Sequence, residues 1–175
     1  RQYLYHPEWR DEQDRRKHEH VVAIGRRLTT ARRRARRHLA ASTMTKRKAL
    51  ATAFCLLDLG LFRVGGEEYT EQNGSFGLAT VEKRHVTVRG DTIAFDYPAK
   101  SGQQRVATVT DRGVARAVAE LLRRRTGGEQ LLAYRDGRAW RDITSHDIGE
   151  YVKSLLGVDA TSKDFRTWHA TVAAA

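Results

Sequence analysis

One apolar run, "ALATAFCLLDLGLF", stands in the middle of an otherwise highly charged chain. Within it Leu50, Phe54 and Leu57 recur at the spacing of a single helix face, which predicts a buried helix over residues 43–59. Gly60 is placed to end that helix. The rest of the core must therefore assemble around this element.

The charge balance indicates the class of partner. The chain has 175 residues, with 32 lysines and arginines against 21 aspartates and glutamates, and its net charge is +11. An excess of this size favours a polyanionic partner, of which nucleic acid is the simplest. A basic ribosomal-type protein or a protein that binds anionic membranes shares this feature, so charge alone indicates no chemistry.

Several classes of protein are disfavoured. Cys55 is the single cysteine, which excludes a disulfide framework and a cysteine-based zinc site, and its apolar neighbours indicate a core residue. No apolar stretch reaches the roughly 20 residues that span a bilayer, and the first residues lack a signal-peptide pattern. We expect a soluble, cytoplasmic protein. The absence of an initiator methionine and the closing "ATVAAA" lead us to expect a fragment of a longer protein.

The first forty residues are helical in character and densely charged. Pro7 suits a first helical turn, and Gly25 predicts a break into two helices within residues 8–41. The segment "ARRRARRHLA" carries five arginines. Two interpretations stay open for this run, a solvated helix face and a stripe that faces phosphates.

A small sheet and two helices are predicted next. Residues 84–89, 92–97 and 103–110 alternate apolar and polar side chains around two turns, which predicts three antiparallel strands. A helix capped by Asp111 runs to about residue 125, followed by a short extended or loop segment at 131–140. Another helix is capped by Thr144 or Ser145 and ends at Gly157. The predicted fold class is α+β and mostly α-helical, with helices around a small three-stranded antiparallel sheet.

The last helix starts at a sequence that resembles a capping box, Thr161 to Asp164. Its inward stripe is predicted to be Phe165, Trp168 and Val172. His169 is interpreted as a residue of the helix surface or close to DNA.

Four cations stand at positions that could aim them. Arg63 precedes a Gly-Gly bend at a helix end, and Lys100 lies at a hairpin tip. Lys163 and Arg166 share a face in the first turn of the last helix, near an N-terminus that favours anions. A solvated surface charge is the ordinary alternative for each residue, so the case depends on the four together.

The motifs around these cations resemble those of the type IB DNA topoisomerases of bacterial and poxvirus type. "FRVGGEEYTEQNGSFGLATVEKRHV" resembles the segment that bears the first catalytic arginine, here Arg63. "FDYPAKSGQQR" resembles the hairpin of the catalytic lysine, here Lys100, and "KDFRTWHAT" the segment of the second arginine, here Arg166 with Lys163 beside it. "QYLYHPEWR" resembles the linker into the catalytic domain, so the likeness covers nearly the whole chain.

This chain also departs from the family pattern. Ala99 stands where the family usually has a glycine before the hairpin lysine. The family's catalytic histidine and nucleophilic tyrosine follow the second arginine, but all six tyrosines of this chain precede Arg166. His169 lies too close to Arg166 to match that histidine. We therefore expect residues 1–175 to be a fragment of the catalytic domain that lacks the N-terminal clamp domain and the nucleophile segment.

The resemblance implies relaxation of supercoiled DNA through a 3′-phosphotyrosyl intermediate, without ATP or a metal. Arg63 and Arg166 would hold the phosphorane oxygens, Lys100 would protonate the departing 5′ oxygen, and Lys163 would support that transfer or hold a phosphate. The DNA-binding residues that it implies are Tyr69, Arg84, Ser101 and Arg105. It further implies double-stranded DNA as the partner, no cofactor, no metal site, no membrane, a monomer and the bacterial nucleoid as location.

Two other functions stay open. A tyrosine recombinase or integrase shares this chemistry, but recombinases typically carry His-x-x-Arg at the second arginine, where this chain has Lys163 and Arg166. A non-enzymatic, basic DNA-binding module would bind with salt-sensitive affinity and little sequence preference.

Overall fold

The computed structural model describes residues 7–60, 62–157 and 159–174. In chain order its elements are α1 (Pro7–Leu39), α2 (Lys46–Gly60), α3 (Glu67–Asn73), β1 (Val86–Arg89), β2 (Thr92–Pro98), β3 (Gln104–Thr110), α4 (Arg112–Leu122), β4 (Ala133–Asp136), β5 (Ala139–Asp142), α5 (Ser145–Leu156) and α6 (Ser162–Ala173). Short 3₁₀ turns occupy Lys83–His85 and Lys100–Gly102. The predicted class, α+β and mostly helical, is confirmed.

The apolar helix α2 forms the centre of the core, as predicted. Every residue from Lys48 to Asp58 is buried, and α1, α4, α5, α6, β3 and β4 all pack against it. The helix starts at Lys46 because the hydroxyl of Thr45 accepts a hydrogen bond from the backbone N–H of Lys48, at 3.2 Å. It ends at Gly60, where the chain turns towards Arg63.

Helix α1 is continuous, so the predicted break at Gly25 is wrong. Gly25 sits in the middle of 33 helical residues. A Cβ atom at this position would lie 2.0 Å from Cζ3 of Trp168, so the missing side chain leaves the space that an aromatic ring of α6 fills. The glycine is therefore needed for a close helix contact and not for a bend.

The arginine run of α1 divides into two faces. Arg32 makes two hydrogen bonds to Asp58, at 2.7 and 2.8 Å, and Arg36 makes two to Asp111, at 2.7 and 2.6 Å. The remaining arginines of the run, Arg33, Arg34 and Arg37, are exposed. Part of the run thus ties α1 to α2 and to the start of α4, which neither interpretation from sequence included.

The three-stranded antiparallel sheet is confirmed, in the order β1-β2-β3. Its buried face is formed by alternate residues, as the pattern predicted: Val86, Ile93, Phe95, Tyr97 and Val109. Helix α4 packs on β1 and β2. The tight connection between β2 and β3 carries Lys100.

A second sheet pairs β4 with β5, where the sequence predicts a short extended or loop segment. Its turn uses Gly137 at φ +59°. Trp140 on β5 packs between the guanidinium groups of Arg124 and Arg135. Arg124 also donates to the carbonyl of Leu131 at 3.1 Å. Because the side chain of Arg124 turns inward in this way, α4 ends at Leu122, before the predicted end near residue 125.

The predicted helix starts are confirmed. The carboxylate of Asp111 accepts from the N–H of Val114 at 2.9 Å, and Thr144 and Thr161 each begin a reciprocal capping box, with Asp147 and Asp164. The inward position of Val172 is wrong, since its side chain is 54% exposed. Helix α6 contacts α1 and α2 through Phe165 and Trp168, and its last turn extends past them.

No helix in the described ranges is both long enough and apolar enough to cross a membrane.

Candidate active site

The backbone at Arg63 is held by a close crossing of two chain segments. The N–H of Leu78 donates to the carbonyl of Arg63 at 2.9 Å, and that of Ala79 to the carbonyl of Val64 at 2.7 Å. Gly65 has φ +77°, and a Cβ on Gly77 would lie 2.4 Å from its Cα, so the crossing needs both glycines. The side chain of Arg63 is exposed above this rigid base.

Lys100 lies on the β2–β3 turn, which is tied to the same base. The N–H of Phe76 donates to the carbonyl of Pro98 at 2.8 Å. The segment that follows α3 therefore contacts both the α2–α3 connection, which carries Arg63, and the β2–β3 turn, which carries Lys100. Ala99, the residue that departs from the family pattern, has φ −99°, a conformation that does not require glycine. The turn is instead closed by positive φ at Ser101 and Gly102.

Arg63 and Lys100 line the same two adjoining clefts. The larger, of about 490 Å³, is lined by Arg63, Ala99, Lys100, Ser101, Gln103, Gln104, Arg105 and Val106. The smaller, of about 250 Å³, is lined by Arg63, Gly65, Gly66, Ser75, Phe76 and Lys100. Neither lining contains a carboxylate, so both clefts favour an anion.

Arg166 reaches the site from α6. Its Nη1 donates to the carbonyl of Phe62 at 3.4 Å. Burial lowers the pKa of Arg166, and the nearby charges of Arg63 and Arg105 lower it further. Three guanidinium groups from α6, β3 and the α2–α3 connection therefore meet in one small region. Their mutual repulsion is relieved when an anion binds.

Arg105 forms part of the floor of the site. Its Nη2 donates to the carbonyl of Gly60 at 2.8 Å, and its guanidinium lies over the ring of Phe62, 5.4 Å from the centroid. The Nε of Arg105 is buried without a hydrogen-bond partner in the described part of the chain. Arg105 thus fixes the end of α2 close to Arg63 and presents one unused donor.

Lys163 is exposed in the first turn of α6. It lines neither cleft, and it stands three residues before Arg166 on the same helix. The structure thus brings Arg63 and Lys100 into the same clefts and brings Arg166 close to Arg63, and it shows no link from Lys163 to them among the described residues.

Besides the packing of Phe165 on Phe54, three contacts hold α6 against α1 and α2. His20 Nε2 lies 3.2 Å from a carboxylate oxygen of Asp164, and Trp168 occupies the space over Gly25. His169 Nε2 lies 3.3 Å from Asp58, the buried acid that Arg32 also binds.

His169 is half-buried, with 34% of its side chain exposed, so it lies at the helix surface as interpreted, and the sequence did not predict its contact with Asp58. Asp58 was missed as a supporting residue. The signal for it was an acid within the run "CLLDLG", which can be buried only with partners.

The other predicted DNA-binding residues are placed differently. Ser101 lines the larger cleft with Lys100. Arg84 is exposed, pairs with Glu82 at 2.5 Å and lines neither cleft. The side chain of Tyr69 lies outside the described residues. Across the described ranges, no group of three or more histidine, cysteine or acidic side chains could hold a metal ion.

Comparisons with known proteins agree with the motifs. A family model described as the eukaryotic DNA topoisomerase I catalytic core matches residues 6–175. A DNA topoisomerase 1B of Acanthamoeba polyphaga mimivirus is 30% identical over 115 residues, which make up 63% of this chain and 34% of that protein. The chain thus spans about a third of the length of this relative.

Proposed function

The chain belongs to the family of eukaryotic DNA topoisomerase I catalytic cores, and on this premise we propose that the full-length protein is a type IB topoisomerase. It relaxes supercoiled DNA by breaking and rejoining one strand, without ATP and without a metal ion. The observation that carries the proposal is that Arg63 and Lys100 line the same two clefts, whose linings contain no carboxylate, while Arg166 on α6 is close enough to Arg63 for their charges to interact.

These residues fit the needs of a phosphoryl transfer. As a tyrosine oxygen attacks the phosphorus, negative charge builds on the non-bridging oxygens, and the two-pronged donors of Arg63 and Arg166 stabilise it. The bond from phosphorus to the 5′ oxygen breaks, and Lys100 donates the proton that this oxygen needs to leave. The reverse sequence rejoins the strand, so the bond energy is conserved.

Arginine suits the two positions that hold the phosphate oxygens, and lysine suits the position of the acid. A guanidinium keeps its charge even where burial and like charges disfavour it, because its ordinary pKa exceeds 12. A lysine ammonium can give up a proton where a guanidinium does not, which suits the acid. Lys163, at the edge of the site, supports the proton transfer or holds a flanking phosphate.

The nucleophile in this proposal is a tyrosine outside the present chain. The described tyrosine side chains have other roles: Tyr97 is buried in the sheet, Tyr151 is buried and hydrogen-bonded to His38, and Tyr134 packs under Lys46. Burial raises the pKa of both Tyr97 and Tyr151, which disfavours attack by either oxygen. We propose that residues 1–175 form part of a catalytic domain, inactive alone, whose clamp domain and nucleophile segment lie elsewhere in the full-length protein.

The partner in this proposal is double-stranded DNA, contacted by Tyr69, Arg84, Ser101 and Arg105, with the protein acting as a monomer in the cytoplasm. A bacterial nucleoid rests only on the resemblance to topoisomerases of bacterial type, since the relative named above is viral. Size-exclusion chromatography with light scattering tests the monomer, and a dimer at micromolar concentration would contradict it.

We expect the full-length protein to relax supercoiled plasmid in the presence of EDTA and without ATP. Arg63→Ala and Arg166→Ala should each slow strand cleavage by about 10²–10³-fold, the usual effect of removing one preorganised donor, with little loss of DNA affinity. Arg26→Ala, which removes an exposed arginine of α1, is the matched control. An absolute requirement for magnesium or ATP would refute the proposal. Equal losses of binding and cleavage in the site variants would make these arginines phosphate anchors, as in a non-enzymatic module.

A further inference from the structure

A second basic cleft lies at the opposite end of α2 from the candidate active site. We call it the α1–α5 cleft; its volume is about 480 Å³, and it is lined by Arg34, His38, Lys46, Arg47, Leu50, Tyr151, Ser154 and Leu155. It shares no residue with the clefts at Arg63 and Lys100. Helix α2 has 15 residues, so at 1.5 Å per residue its two ends are about 22 Å apart.

Two of the cations that line this cleft, Arg34 and Arg47, are not neutralised by the protein among the described residues. Arg34 and Arg47 are exposed, and within the described residues neither makes an ion pair or a hydrogen bond. Their neighbours differ: Arg32 and Arg36 each bind an aspartate through two hydrogen bonds, and Lys46 pairs with Asp147 at 2.7 Å. The nearby cations therefore have carboxylate partners, whereas Arg34 and Arg47 have none among the described residues.

The unpaired positive charges of this cleft also act on His38. Its Nδ1 lies 2.7 Å from the hydroxyl of Tyr151. Burial lowers the pKa of His38, and the charges of Arg47, Arg34 and Arg37 lower it further. The imidazole is thus held neutral beside three guanidinium groups, on a floor made by Tyr151, Leu50 and Leu155.

The start of α2 adds to the attraction for an anion. Lys46 and Arg47 form its first turn, which contains no acidic residue. The free N–H groups of a helix N-terminus carry partial positive charge, and they favour anions at this point.

We propose that the α1–α5 cleft binds a phosphate group, held between Arg34 and Arg47. Arginine is suited to this ligand because its planar fork of donors matches phosphate oxygens in pairs. The phosphate comes either from a DNA backbone, at a position remote from the cleaved bond, or from a free nucleotide or oligophosphate. The proposal stands apart from the active site, because no residue of the cleft belongs to it.

The test uses the 175-residue chain and two matched double variants. Arg34→Gln with Arg47→Gln removes the cleft cations. Arg26→Gln with Arg33→Gln is the control, because both residues are exposed and unpaired among the described residues, lie on α1 and do not line the cleft. Both variants lose the same charge, and circular dichroism melting checks that each folds.

In the first arm, inorganic pyrophosphate is titrated while the imidazole signals are followed by NMR. The signal of His38, assigned with His38→Gln, should shift and saturate in the unchanged chain and in the control variant, and should stay still in the cleft variant. The exposed His18 and His146 should not follow it. A response to polyglutamate with none to pyrophosphate would overturn the phosphate assignment.

In the second arm, affinity for a 20-base-pair duplex is measured against salt. If the phosphate is that of DNA, the slope of log K against log salt should fall by about 0.9 for the cleft variant, the loss of one neutralised phosphate, and not for the control. If only the first arm responds, the ligand is a free phosphate compound. If neither arm separates the two variants, the cleft binds no phosphate. Neither arm measures cleavage, so failure of the proposed topoisomerase activity would not be confused with failure here.

Discussion

Each cation of the candidate site has its own degree of burial, and the differences suggest a division of labour. Arg105 is held in the floor by the carbonyl of Gly60 and the ring of Phe62. Arg166 is half-buried against Phe62, while Arg63 and Lys100 project into open clefts. A partly buried guanidinium keeps its geometry without a ligand, whereas an exposed lysine can follow a leaving group. The proposed role of general acid therefore fits Lys100 better than Arg166.

This assignment predicts the behaviour of Lys100→Ala in the full-length protein. Cleavage should slow by about 10²–10⁴-fold, the usual contribution of a general acid. The loss should be largely recovered on a substrate whose 5′ leaving group departs without a proton. Single-turnover cleavage of both substrates measures the effect, with Lys163→Ala as the parallel variant. Recovery by Lys163→Ala alone would move the acid role to Lys163.

At the scale of elements, helix α6 is the part whose position decides the site. It carries Lys163 and Arg166, and it rests on α1 and α2 through His20, Trp168 and His169. Of these contacts, the one at Gly25 leaves the least space for a larger residue, because the ring of Trp168 lies where a side chain would begin.

Gly25→Ala tests this contact. Helix propensity alone would stabilise the chain by about 0.5–1 kcal/mol, but displacement of Trp168 should cost about 1–3 kcal/mol, so the free energy of unfolding should fall. Gly149→Ala in α5 is the control, since nothing lies within 4 Å of the added Cβ, and it should raise the free energy of unfolding. Urea denaturation measures both. In a Trp168→Ala background, Gly25→Ala should no longer destabilise; a persistent loss would mean that the ring is not the obstacle.

The start of α4 predicts a dependence of stability on pH. The side-chain hydrogen bonds from Arg36 hold the pKa of Asp111 below its ordinary value, and the bond from the N–H of Val114 adds to this. Because the folded pKa is the lower one, the stabilisation is present above the unfolded pKa, near 4, and is lost as pH falls through the folded pKa.

Asp111→Asn keeps a capping side chain but removes this charge. The variant should be less stable than the unchanged chain by about 0.5–1 kcal/mol at pH 6, a modest value because the Arg36 side chain is 44% exposed. The difference should shrink as pH falls below 4. Urea unfolding at pH 6, 4 and 3 measures it, and a difference that stays constant over this range would contradict the role of the charge.

At the scale of the whole molecule, the net charge of +11 favours the association with DNA that we propose. Among the described residues, the positive groups that lack acidic partners include one set around Arg63, Arg105 and Arg166 and another in the α1–α5 cleft, at opposite ends of α2. The chain therefore has the charge to bind DNA even without a nucleophile.

We expect the 175-residue chain to bind duplex DNA with an affinity that falls steeply with salt, log K dropping by about 0.9 per neutralised phosphate. It should form no covalent adduct with DNA, because the tyrosines that the structure describes are engaged in the fold. Affinity from 50 to 200 mM salt and a denaturing gel of the mixture test these points. A covalent band would show that a tyrosine of this chain acts as the nucleophile.

The sequence by itself determined the features that depend on near neighbours. The caps at Asp111, Thr144 and Thr161 join residues three positions apart, and the sheet follows from alternation along each strand. The β4–β5 hairpin is equally local and could have been predicted, since the Asp-Gly pair at its turn is a strong hairpin signal. Motif order also indicated Arg63, Lys100 and Arg166, and the family to which they belong.

Only the tertiary structure decided which side chains meet across the chain. Gly25 is a helix breaker by residue type, but it lies in a continuous helix where Trp168 fills its space. The contact between His169 and Asp58 joins residues that are 111 positions apart. The arginine run showed one periodic pattern, yet its members separated into paired and unpaired sets according to where Asp58 and Asp111 lie. Contacts of this kind depend on how helices dock. Docking is a sum of many weak interactions between distant segments, and no local pattern encodes it.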